Sequence, residues 1–192
     1  MRLRAEQDTD HDAVRDLHHR ASGSHGPVVA AVVQSLRAIL VKHPGASLVA
    51  ESGGRVVGHV MFTRALLDAP SRLVEVQVLS PLAVLPEHQG QGIGTALIRR
   101  GLELMKALPT PLVFLEGPPD YYRRAGFTAA GELGFRKPSL RIPEPAFQVC
   151  LLPGYEPWMT GTLVYPSAFW EHDAVGLRDS DTEAAAAAAV RS

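Results

Sequence analysis

Glycine stands at positions 90, 92 and 94, between a segment with the period of a strand and one with the period of a helix, and this arrangement constrains the fold more than any other feature of the 192 residues. With no Cβ to obstruct it, such a loop turns sharply and points several amide N–H groups in one direction. Upstream, residues 73–84 place Val74, Val76 and Val78 on one face and Glu75 and Gln77 on the other, as a strand does. Pro81 interrupts that strand, and because proline lacks a ladder donor it predicts a bulge or a parting from the neighbouring strand. Downstream, Ile93, Leu97, Leu104 and Leu108 recur at helical spacing over residues 93–107, and Pro109 and Pro111 close the helix. Residues 112–115 are short and wholly apolar, as a strand buried on both faces would be. Strand, glycine loop, helix and strand join most economically as a right-handed crossover between parallel strands.

The flanking segments extend this unit into one α/β domain over residues 1–176. Residues 3–6 read as a strand, and Thr9 or Asp10 caps a helix carrying Ala13, Val14 and Leu17 on one face. After a glycine and proline break at 22–27, residues 28–40 read as a buried helix with Gln34 and Arg37 on its polar side, ended by His43-Pro44-Gly45. Residues 48–51 and 56–62 flank a glycine turn and read as a hairpin. Residues 120–125 form a short helix ended by Gly126, and strands follow at 147–152 and 161–165, joined by a loop at 153–160. The alanine-rich stretch within 177–192 is too short to hold a helix alone, which predicts a frayed, disordered tail.

Composition narrows the partners. A hydrophobic content of 46% suffices for one sizeable core, and a formal charge of −1 leaves no positive excess for a nucleic-acid backbone or an anionic membrane. No uninterrupted apolar run approaches the ~20 residues that span a bilayer. The single cysteine, Cys150, forms no internal disulfide, and residues 1–12 are charged rather than apolar, so the expected compartment is the cytoplasm.

The glycine loop opens a helix whose first N–H groups lack partners and whose dipole end is positive, so a diphosphate at residues 91–94 would be held without a lysine. A P-loop is excluded because Thr95 follows Gly94 directly, with no intervening lysine. A dinucleotide fingerprint needs a third glycine where Thr95 stands, although Glu116 lies roughly 20 residues beyond, where a ribose-binding acid would be. That alternative, a nucleotide-cofactor oxidoreductase, is weakened by the upstream hairpin, since doubly wound folds place parallel units there.

Gln89-Gly90-Gln91-Gly92-Ile93-Gly94 resembles the Q/R-x-x-G-x-G/A signature of the GNAT superfamily of N-acetyltransferases. Residues 81–88 are similar to that family's fourth strand and its exit, and Tyr121-Tyr122-Arg123-Arg124-Ala125-Gly126-Phe127 to its helix ending in Gly-Phe. The resemblance covers residues 1–152. It implies a mixed, strongly twisted sheet with flanking helices and splayed fourth and fifth strands. It further implies that acetyl-CoA is the cosubstrate, its pantetheine arm lying between those strands against the backbone of Leu82, Ala83 and Val84. Gln89, Gly90, Gln91, Gly92, Ile93, Gly94 and Thr95 would hold its diphosphate. Acetyl transfer would proceed directly to a primary amine of a small molecule or peptide, with a main-chain N–H polarising the thioester carbonyl. Tyr122, four positions before Gly126, takes the family's acid position and would protonate the departing thiolate.

The chain departs from the family at the base. Val78 stands where some relatives carry a glutamate, and residues 117–120 replace a common asparagine. Glu75 reads as a solvated carboxylate, Cys150 as a small buried hydrophobe, and His18-His19 and Glu171-His172-Asp173 as ordinary polar residues facing water, without a metal motif. Arg99, Arg100 and Lys106 read either as ordinary exposed charges or as guides for the cofactor's phosphates. Acceptor contacts are expected from residues 28–40, 63–73 and 153–158, while Trp158, Phe169 and Trp170 suit either a core or a homodimer interface. The missing glutamate also fits a non-catalytic sensor of acyl-CoA.

Overall fold

The computed structural model describes residues 1–176, so the tail expected at 177–192 lies outside the described residues. Strand β1 (Arg2–Ala5) leads into helix α1 (His11–Ala21) and helix α2 (Gly26–Lys42). Strands β2 (Ala46–Ser52), β3 (Arg55–Asp68) and β4 (Leu73–Val84) form an antiparallel meander. Helix α3 (Ile93–Lys106) then crosses to β5 (Leu112–Glu116), which lies parallel to β4 as the crossover required. A short helix α4 (Pro119–Tyr122), strands β6 (Thr128–Ala129), β7 (Phe135–Arg136), β8 (Phe147–Leu151) and β9 (Gly161–Val164), and helix α5 (Ser167–Glu171) complete the described chain.

The sheet runs β1-β2-β3-β4-β5-β8-β6, and β9 extends the β2 edge of β3 by pairing with Leu66, Leu67 and Asp68. The antiparallel hairpins and the parallel β4–β5 pair make it a mixed sheet with helices against both faces. On one face, Val14 of α1 and Val32, Val33 and Leu36 of α2 pack with Met61, Val76, Val78 and Phe114. On the other, Ile93, Leu97, Ile98 and Met105 of α3 pack with Val60, Phe62, Val113 and Leu115. Alternation along β5 therefore sends Leu112 and Phe114 to the α2 face and Val113 and Leu115 to the α3 face.

The parting of β4 and β5 is visible in the register. They pair only at Gln77 with Val113 and Val78 with Phe114, after which β4 runs on to Val84 without β5. At the same level Phe62 opposes Leu79 but Val60 opposes Leu82, leaving Ser80 and Pro81 opposite Met61 as a bulge. Both outcomes inferred from Pro81 are present, because the missing donor and the extra residue turn β4 away from its partner.

Some sequence expectations shift. Strand β3 reaches Asp68 rather than Phe62, and β6, β7 and α5 were not foreseen because two-residue strands and single-turn helices carry no periodicity. Ala13 is exposed, so α1 buries a narrower face than expected. Gln77 is buried, not solvated like Glu75, and its amide donates to the Pro44 carbonyl at 3.0 Å. Residues Gly23–Lys42 form a helical stretch long and apolar enough, by length and composition, to cross a membrane. In this fold Val32, Val33 and Leu36 face the sheet instead, and Arg37 is ion-paired with Glu6.

Candidate active site

A cavity of about 580 Å³ opens where β4 leaves β5. One wall is Leu82, Ala83 and Val84 of β4. Leu85 N–H donates to Val57 O, so strand alternation turns the backbone groups of Leu82 and Val84 away from β3 and toward the gap. The Val84 carbonyl is met there by Nε2 of Gln89 at 3.0 Å, which ties the glycine loop to the strand end.

The floor is the loop itself, formed by His88, Gln89, Gly90, Gly92, Ile93, Gly94 and Thr95. Gly90 and Gly92 sit at φ of 72° and 78°, the left-handed region that a side chain penalises, so the glycines are needed for the turn. The helical ladder of α3 starts with Ala96 N–H donating to Gly92 O at 3.0 Å. The N–H groups of Ile93, Gly94 and Thr95 precede that bond and form a cluster of donors at the positive end of the helix. Gln91 is the exception among the predicted residues. Its side chain is exposed and folds back onto the Glu87 carbonyl at 3.3 Å, so only its backbone belongs to the loop.

The third wall comes from Pro118, Tyr121, Tyr122 and Arg124. The Tyr121 hydroxyl bonds to the Thr95 side chain and lies over Gly94, where an added methyl would collide with it. Tyr122 is 9% exposed, its ring lies against Gly117 with no space for a Cβ, and it packs edge to face with Phe127 at 6.0 Å. Burial, and secondarily the neighbouring Tyr121, push its phenol above the ordinary tyrosine range, so the group stays protonated near neutrality. The two rings meet edge to face at 4.9 Å. Arg124, an exposed cation on the cavity wall, was missed in the sequence, whereas Lys106 is ion-paired with Glu103 at 2.9 Å. His88 was missed too, its only signal being adjacency to the glycine loop, as was Pro118, whose only signal was its place between β5 and the Tyr121-Tyr122 pair.

Of three side chains weighed in the sequence, His18 changes its reading, Glu116 loses an alternative role and Cys150 keeps the inert one expected of it. His18 is fully buried, not a surface polar residue, and its Nε2 lies 2.8 Å from Nδ1 of His59. Glu116 does not line the cavity and cannot play a ribose-binding acid, because its Oε2 accepts the Gly176 N–H at 3.1 Å. Cys150 is half-buried in β8, and burial raises its thiol pKa, which is the opposite of an activated nucleophile.

The comparisons agree with this geometry. The acetyltransferase (GNAT) domain family matches residues 2–130. The chain is 37% identical over 139 residues to the uncharacterized N-acetyltransferase YjhQ of Escherichia coli K12, spanning 71% of this chain and 74% of that one. Its fold resembles the crystal structure of the N-acetyltransferase YhbS from Escherichia coli in complex with CoA, with TM-score 0.77, 28% identity, and coverage of 88% and 91%. It also resembles a GNAT family acetyltransferase from Brucella melitensis in complex with acetyl-CoA, with TM-score 0.68, 31% identity, and coverage of 88% and 97%. With two thirds of its length matched to the family and a parted β4–β5 pair beside a glycine loop, the chain belongs to the GNAT family of N-acetyltransferases.

Proposed function

We propose that the protein transfers an acetyl group from acetyl-CoA directly to a primary amine. The observation that carries this reading is the continuous cavity joining the unladdered N–H groups of α3 to the free edge of β4. Its two ends suit the two ends of the cosubstrate. The amides of Ile93, Gly94 and Thr95 donate to a diphosphate, and Arg124 adds a cation beside them. The backbone of Leu82 and Val84 pairs with the amides of the pantetheine arm as an added strand would. The complexes of YhbS with CoA and of the Brucella melitensis protein with acetyl-CoA support this assignment.

Catalysis then rests on position. The arm brings the thioester to the parted strands, where a β4 N–H stabilises the oxyanion as the amine attacks. Tyr122, rather than Tyr121, donates to the departing sulfur. Tyr121 is engaged by Thr95 over the diphosphate loop, while Tyr122 lies against Gly117 at the end of β5. Calorimetry with acetyl-CoA, followed by thiol release over a panel of small amines and peptide N-termini, tests the reading. Saturable binding and turnover of at least one amine are expected, and absence of binding would overturn it. Binding without turnover of any amine would favour a sensor.

A further inference from the structure

We propose that the cavity on the far side of α4 is a second ligand site, one that takes a small organic dication, two ammonium groups joined by an aliphatic spacer. The site does not depend on the acetyl-transfer reading above. Helix α4 and the turn after it form a partition. Pro118, Tyr121, Tyr122 and Arg124 face the coenzyme cavity, whereas Pro119, Asp120 and Arg123 face a separate space of about 680 Å³. Its other walls include Ala129 of the edge strand β6, Glu132 and Glu144 from the loops on either side of β7, and Gln148 of β8. The two cavities share no lining residue.

A buried amide is aimed into this space. Phe147 and Val149 turn to the α2 face, so alternation along β8 sends Gln148 to the face that carries α4. Gln148 is 2% exposed, and its Nε2 donates to the Gly117 carbonyl at 2.9 Å. Gly117 is not a wall residue, so Nε2 points away from the cavity and Oε1 is the end turned toward it. That oxygen accepts no hydrogen bond among the described residues. A carbonyl held at the back of a cavity without a donor is completed by a ligand that brings one.

The rim sets the sign of that ligand. Three carboxylates, those of Asp120, Glu132 and Glu144, line the cavity against one guanidinium, that of Arg123. Asp120 and Arg123 stand 4.0 Å apart and are both exposed, so neither is committed to the other. Lys137 engages Glu144 Oε1 at 2.7 Å, while Oε2 turns toward Gly131, where an added Cβ would lie 3.2 Å from it. Glu132 is exposed and has no ion pair among the described residues. These acids do not suit a metal ion, because no three acidic, histidine or cysteine side chains among the described residues converge closely enough to hold one. They are spread around the cavity with Pro119, Ala129 and Pro145 among them. Ammonium groups separated by methylenes match that pattern, each donating to carboxylate or amide oxygen while the spacer covers the apolar stretches.

Calorimetry of the full chain at low salt with diaminobutane and diaminopentane, and with butylamine as the monocation, tests this. One saturable diamine site per chain is expected, with free CoA either absent or in excess, and butylamine should bind at least tenfold more weakly. Glu132→Gln, at an exposed position, should weaken the diamine at least threefold. Glu132→Lys, which reverses the charge, should weaken it at least tenfold, and both variants should keep the acetyl-CoA Kd within twofold. Three results overturn the site: no saturable heat with the wild-type protein, equal affinity for butylamine, or a diamine affinity that neither Glu132 variant changes, which would put the amine in the acceptor cleft instead. Failure to bind acetyl-CoA would sink the transfer reading and leave this site standing.

Discussion

Tyr121 and Tyr122 are neighbours in sequence, yet they line the same cavity in different surroundings. Tyr121 is 41% exposed and bonded to Thr95, so it steadies the first turn of α3, where the diphosphate would sit. Tyr122 is buried between Gly117 and Phe127 and keeps its proton. In the proposed acid role its raised pKa exceeds that of a coenzyme thiol, so full proton transfer would become favourable only as the acidic nitrogen of the intermediate resupplied it. Tyr122→Phe preserves the ring packing and should lower kcat tenfold or more while leaving the acetyl-CoA Kd within twofold, as read by steady-state kinetics and calorimetry. Tyr121→Phe should do the reverse. It removes one hydrogen bond of about 0.5–1.5 kcal/mol, so the coenzyme Kd should rise roughly two- to tenfold with kcat little changed. Equal effects of the two variants on kcat would erase the distinction drawn between them.

At the scale of elements, α3 lies close on β3 because Gly101 leaves room for a ring. A methyl group at Gly101 would fall inside the Phe62 side chain, which is fully buried and has nowhere to retreat. Gly101→Ala gains helix propensity but should still cost about 1–3 kcal/mol through overpacking, lowering the melting temperature by roughly 2–12 °C in a calorimetric scan. A stabilised variant would show that the α3–β3 contact is looser than the packing indicates. The same contrast explains what was legible in the sequence. The strand–loop–helix–strand unit, its three glycines and the αL Gly126 are local in the chain, and each declares itself through period or backbone freedom. The splay was legible through Pro81, because a missing donor is a property of one residue. What stayed hidden depends on distant partners. The pairing of β9 with β3 and the burial of Gln77 against Pro44 follow from register between segments far apart in sequence. No pattern within one segment encodes them.

Across the whole molecule, one buried polar chain links β2, β3 and the residue after β1 to both N-terminal helices. Arg37 of α2 pairs with Glu6, the Ser47 hydroxyl donates to Glu6 Oε2 at 2.6 Å, and His59 Nε2 lies 2.9 Å from Ser47 Oγ. With the hydroxyl proton committed to the carboxylate, His59 Nε2 must be the donor to Ser47, which leaves His59 Nδ1 to accept from His18 Nε2. His18 Nδ1 is then a buried lone pair with no partner among the described residues. Both imidazoles are neutral in the fold. Burial is the main cause, driving the pKa of His18 down to about 3 and that of His59 below its usual value. The unfolded chain binds a proton at each histidine below pH ~6.5 and the folded chain does not, so stability falls as pH drops from that point. For His18 the loss continues toward pH 3, where the folded state also protonates. Burial opposes ionisation of Glu6, but its contacts with Arg37 and Ser47 hold its carboxyl below the ordinary glutamate range, so it adds its own loss only below the ordinary glutamate pKa. The histidine contribution should therefore dominate between pH 6.5 and 5, on the order of 1 kcal/mol per pH unit from His18, with His59 acting in the same direction. Urea unfolding at pH 7.5, 6 and 5 should show the midpoint falling steadily, and His18→Gln, whose amide can still donate to His59, should flatten that slope. A midpoint that holds constant from pH 7.5 to 5 would mean that this pair is already protonated, or solvated, in the folded protein.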